Sequence, residues 1–88
     1  MMALVICRPV PGADQASFAS LVPAESAALG RLKAQGSLTQ AWSPGRPGAV
    51  LMLEVRDEAE AADITAGLPL VTAGLITTEI LPLHPLML

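Results

Sequence analysis

A chain of 88 residues and 9.1 kDa has room for one core and no second domain, so residues 1–88 read as a single unit. Hydrophobic residues make up 52% and charged residues only 15%, against about a quarter charged in an ordinary soluble domain. A net charge of −3 and only two aromatics, Phe18 and Trp42, argue against nucleic acid, which needs a basic footprint and stacking platforms.

Mean hydropathy is +0.55, and so short a chain cannot shelter that much apolar surface alone. The longest uncharged run, residues 64–78, holds 15 residues and contains Gly67, Pro69 and Gly74. A spanning helix wants about 20 mostly apolar residues, so a membrane is excluded as the outlet. The start (MMALVIC, then Arg8) has no basic lead-in or cleavage site. Self-association is expected instead, as a homodimer by default or a larger homo-oligomer. The single cysteine, Cys7, allows no internal disulfide and fits the cytoplasm. One Cys and one His cannot supply the usual metal ligands, so no metal is expected.

Residues 3–8 form a continuous apolar run bounded by prolines, which predicts a strand buried on both faces. A helix follows from about Asp14 to Gln35, closed by Gly36. Pro23 either kinks that helix or begins its main part. Residues 38–43 and 49–55 predict two strands joined by the turn Pro44–Gly48, a hairpin. Asp57 and Glu60 have capping-box spacing and open a second helix that ends at Gly67. Leu68-Pro69-Leu70 reads as a turn. Residues 75–81 alternate as a fourth strand, with Ile76, Thr78 and Ile80 on one face.

The order βαββαβ predicts an α+β, ferredoxin-like domain: a four-stranded antiparallel sheet with both helices on one face. The other face is left bare, and it too is apolar. Two such faces packed together would bury it.

The string Leu32-Lys33-Ala34-Gln35-Gly36, with Trp42 six positions on, resembles the muconolactone δ-isomerase family. Further matches are Glu25 eleven positions before Gly36, Arg31, the Leu68-Pro69-Leu70 turn and His84-Pro85. The resemblance covers nearly the whole chain. It implies a dimeric α+β barrel of ferredoxin-like subunits and a proton shift on an unsaturated lactone in the breakdown of aromatic compounds, without a cofactor. YciI-like proteins and small barrel monooxygenases share that architecture, so fold alone does not choose the chemistry. The isomerases it resembles alternate basic side chains along the first strand. Here Leu4 and Ile6 stand in those places, so a substrate carboxylate lacks that partner.

Glu25 falls on the apolar stripe Phe18, Leu21/Val22, Glu25, Ala28/Leu29, Leu32. A carboxyl among apolar neighbours is suited to take up and return a proton. If the helix starts at Pro23, Glu25 is instead its third residue, favoured there by free amides. His84, the only imidazole, is a candidate general acid or base, or a solvated tail residue. Arg31 is a candidate anchor for an anionic substrate, or a surface arginine. Trp42 is a candidate pocket wall for a small-molecule ligand, or a packing residue. Cys7, on an apolar strand, reads as inert core, and Gly45 and Gly48 as turn residues. Three functions stay open: a proton-shifting isomerase; a non-catalytic oligomeric module for binding or assembly; and a cofactor-free monooxygenase or dehydratase.

Overall fold

The strands and helices follow one another as β1 (Met2–Pro9), α1 (Gln15–Ala34), β2 (Leu38–Trp42), β3 (Ala49–Glu54), α2 (Glu58–Ala66), α3 (Pro69–Thr72) and β4 (Ile76–Leu83). The structure is a computed structural model describing residues 1–88.

α1 starts well before Pro23. Asp14 caps it, its Oδ2 accepting from Ser17 N at 2.9 Å and Ser17 Oγ at 2.7 Å. The helix continues unbroken through Pro23, so the reading that began it there is corrected. Pro23 is exposed, so the amide it lacks is missing from the wet side of the helix. The end comes at Gly36, whose φ of 83° lets Ser37 N reach back to Leu32 O at 3.0 Å. α2 opens as its spacing predicts, with Glu60 N donating to Asp57 Oδ1 at 2.9 Å. The return bond differs: Glu60 Oε1 accepts from Arg56 N at 3.1 Å rather than from the Asp57 amide. The Leu68–Leu70 stretch is no simple turn. Pro69 starts the short α3, and Gly74 at φ 74° follows its end.

The four strands form one antiparallel sheet in the order β2-β3-β1-β4. β1 is central, and its alternation sorts residues between two layers. Ala3, Val5 and Cys7 face the helices together with Leu51, Leu53 and Ile76 of the neighbouring strands, all buried. Met2, Leu4 and Ile6 face the other way, beside Val50 and Met52. These are half-buried, so burial of β1 on both faces is not achieved within one chain. A bulge at Thr39 switches the parity of β2, so that Leu38 packs inward while Gln40 and Trp42 lie on the open face.

Candidate active site

Glu25 sits midway along α1, half-buried on the stripe that packs against the sheet. Its Oε1 accepts from the Leu70 amide at 3.0 Å. That amide belongs to the first turn of α3, where backbone N–H groups have no partner within the helix. The carboxylate therefore serves a helix start, but the start of α3 and not of its own helix. No protein donor reaches Oε2.

This carboxyl lines a pocket of about 170 Å³ between α1, α3 and the Pro9 end of the sheet. The walls are Phe18, Leu29, Leu51, Leu70 and Ile76, with Cys7 and Gly48 completing the sheet side. Burial, reinforced by the Glu25 charge, pushes the Cys7 thiol up to about 11. It stays protonated at neutral pH, and Glu25 is the one carboxyl in an apolar enclosure. Such a group can remove a proton from a bound carbon acid and return it elsewhere.

Gly48 does more than turn the hairpin. Its φ is 125°, and a Cβ there would stand 2.5 Å from the Cys7 carbonyl oxygen. Only glycine lets the end of β3 close on β1 at the pocket floor. The sequence flagged a turn, but nothing in it marked this approach. The Leu70 amide was equally invisible, because it meets Glu25 across 45 positions of chain.

The other candidate residues lie elsewhere. Arg31 is exposed on α1, six residues beyond Glu25, and borders a separate shallow depression with Gln35 and Gly67. Trp42 ends β2 on the open sheet face, 46% exposed, opposite Val50. His84 is exposed just beyond β4. Its neighbour Leu83 pairs with Met2, whereas the pocket lies at the other end, where Pro9 pairs with Ile76. Within one chain, Glu25 alone of the four enters the pocket. The first-strand arginine, Arg8, is held on the open face by Glu79, Nη1 to Oε1 3.0 Å.

No cluster of three or more His, Cys, Asp or Glu residues stands ready for a metal ion, and no helix is long and apolar enough to cross a membrane.

The βαββαβ order and the four-stranded antiparallel sheet define the class: a ferredoxin-like α+β protein, here with a carboxyl on the wall of an apolar pocket. The sequence profile described as muconolactone delta-isomerase matches residues 6–86, and the chain belongs to that family. Among solved structures it is similar to 5-chloro-2-hydroxyhydroquinone dehydrochlorinase from Burkholderia phenoliruptrix AC1100, in complex with 2,5-dihydroxybenzoquinone. The TM-score is 0.75 at 22% identity, covering 96% of this chain and 94% of that one. It is also similar to a muconolactone isomerase, with a TM-score of 0.74 at 24% identity over 97% and 92% of the two chains. At these identities the likeness speaks to fold. No curated protein matches the chain in sequence.

Proposed function

We propose that this protein is a cofactor-free isomerase that moves a proton on a small unsaturated lactone or carbonyl compound. It would work in the cytoplasm as a homodimer or larger homo-oligomer. The position of Glu25 carries the reading: a carboxylate on the wall of an apolar pocket, one oxygen fixed by the Leu70 amide and the other free. Glu25 takes the proton from the carbon between the carbonyl and the double bond. The electron pair shifts onto the carbonyl oxygen, then returns through the conjugated system as the same carboxyl delivers the proton at the far end. Nothing leaves, and nothing is oxidised. Family membership supports isomerase-type chemistry on a small lactone, and the two structural likenesses support the fold that holds the pocket.

The polar partners for the carbonyl oxygen come from outside the pocket of the single chain. Trp42 lies on the open face and His84 beyond the far end of the sheet, so each would act in the pocket of another copy. Arg31 stands about 9 Å along the helix axis from Glu25 and would hold an anionic group. The test is Glu25→Gln assayed on β,γ-unsaturated lactones by the rise in ultraviolet absorbance as the double bond conjugates. Turnover should fall about 10²- to 10⁴-fold with helix content unchanged. A variant as fast as the parent protein would remove Glu25 as the base.

A second reading, a non-catalytic ligand-binding or assembly module, draws on one observation. Apart from Glu25 and the protonated Cys7 thiol, no ionisable side chain lines the pocket. It predicts retained binding of a small apolar ring compound in the Gln variant, and no turnover in either protein.

A further inference from the structure

A charged feature interrupts the apolar open face of the sheet. At the Pro9 end a cavity of about 420 Å³ lies between β1 and the Pro44–Gly48 turn, bordered by two guanidinium groups, Arg8 and Arg46. Its other walls are apolar, Ile6, Pro9, Pro47 and Val50 among them, and no acidic side chain lines it.

The fold brings these two arginines together from distant stretches of chain. Arg8 continues the outward set of β1 after Leu4 and Ile6. Arg46 sits in the turn between Gly45, at φ 78°, and Pro47. That turn is held to β1 by the close approach of Gly48 to the Cys7 carbonyl, one residue before Arg8. Pro44 and Pro47 have fixed φ, and Pro47 biases Arg46 toward extended backbone. A turn so restricted loses little freedom when it meets a ligand.

The charge here exceeds what the chain neutralises. Glu79, beside Ile6 on β4, takes one nitrogen of Arg8, Nη1 to Oε1 3.0 Å, and leaves the other donors of the fork. Arg46 takes part in none of the chain's three ion pairs.

These walls make two demands on an occupant. Planar guanidinium forks match the two oxygens of a carboxylate. The apolar walls and the volume suit a ring compound, and a small hydrated ion such as phosphate would leave those walls against water. A flat apolar ring bearing one carboxylate meets both demands.

We propose that this cavity is a second ligand site, which takes a small aromatic carboxylate with its acid group between Arg8 and Arg46. It is separate from the Glu25 pocket. Arg8 and Val50 lie on the open face, whereas Glu25 lies on the helix side of the sheet. The assignment stands whether or not Glu25 is a base. Where a second copy packs on this face, the bound acid supplies the counter-charge without which enclosing two guanidinium groups is costly.

The experiment is calorimetric titration of the full chain with benzoate. Binding should saturate with a Kd of about 1 mM or tighter. Arg46→Gln and Arg8→Gln should each weaken it about tenfold or more with helix content unchanged. Arg56→Gln removes the same charge at the other end of β3 and should leave the affinity as it was. Benzamide, which keeps the shape without the charge, should bind at least about tenfold more weakly. No saturable binding of benzoate, or equal binding by Arg46→Gln, overturns the proposal. Phosphate binding as tightly as benzoate reduces the cavity to a patch of charge and also overturns it. Glu25→Gln should bind benzoate as the parent protein does. A loss there places the acid in the Glu25 pocket and overturns the second site, while loss of turnover alone concerns only the base.

Discussion

The two faces of the sheet are made by alternate residues of the same strands, yet they end in different environments. Toward the helices, Ala3, Val5, Leu51 and Leu53 are between 0 and 1% exposed. On the reverse, Leu4, Ile6, Val50 and Met52 are only half-covered, and Leu81 and Leu83 are 37% and 39% exposed. Chemically the two sets are much alike. What separates them is that two β-to-β connections pass through helices on the same side. Exposed apolar patches on protein surfaces often mark interaction sites, and that is the ground for the pairing of copies proposed above.

The sharpest break of that comparison is a cavity under the helices. Leu53→Ala removes a fully buried side chain at the centre of the covered face and should cost about 2–5 kcal/mol, measured by urea unfolding. Leu81→Lys places a charge on the open face, opposite Leu4. Its cost to the isolated chain should stay within about 0.5 kcal/mol. Its effect should instead appear as loss of the oligomer in sedimentation. A stable oligomer with Leu81→Lys would show that the bare face is not where copies meet.

An effect confined to alkaline pH concerns the thiol behind the covered face. Cys7 titrates at about 11 in the fold against 9.0 in a free chain. Between those values the unfolded chain has lost the proton that the folded one keeps, so stability is level below about pH 8 and declines from pH 9 to 11. Cys7→Ser, whose hydroxyl does not titrate there, should flatten that slope. Glu25→Gln removes the charge that helps raise the thiol and should move its titration downward, read by thiolate absorbance. A stability profile with no slope over this range would mean that the thiol is not held in the core.

Much of the architecture was legible because local chemistry and global packing agree. Asp14, Gly36, Asp57 and Gly67 bound the two main helices where capping rules place them. The four apolar runs became strands in the expected order. Where the reading missed, the signal was non-local or too short. α3 has four residues, too few for a helical period to register. Pro23 offered two helix starts, and packing of the whole stripe from Phe18 to Leu32 on the sheet chose the longer helix. The bulge at Thr39 depends on β2 pairing with β3, so strict alternation misplaces one side of it.

The site was half legible. Glu25 stood out as a charge on an apolar stripe, and it does line the pocket. Its partner amide and the Gly48 approach come from segments far along the chain. Arg31, Trp42 and His84 were grouped by resemblance, but the fold sets them on a helix exterior, on the open face and beyond the far strand end.

By itself the sequence determined the order of elements, the helix ends and the excess of apolar surface, since each depends on residue type and on neighbours within a few positions. Only the tertiary structure decided which alternate set of strand residues the helices cover, what Glu25 touches and which candidate residues share a cavity. Those depend on strand register and on contacts between segments tens of residues apart, and no local rule specifies them.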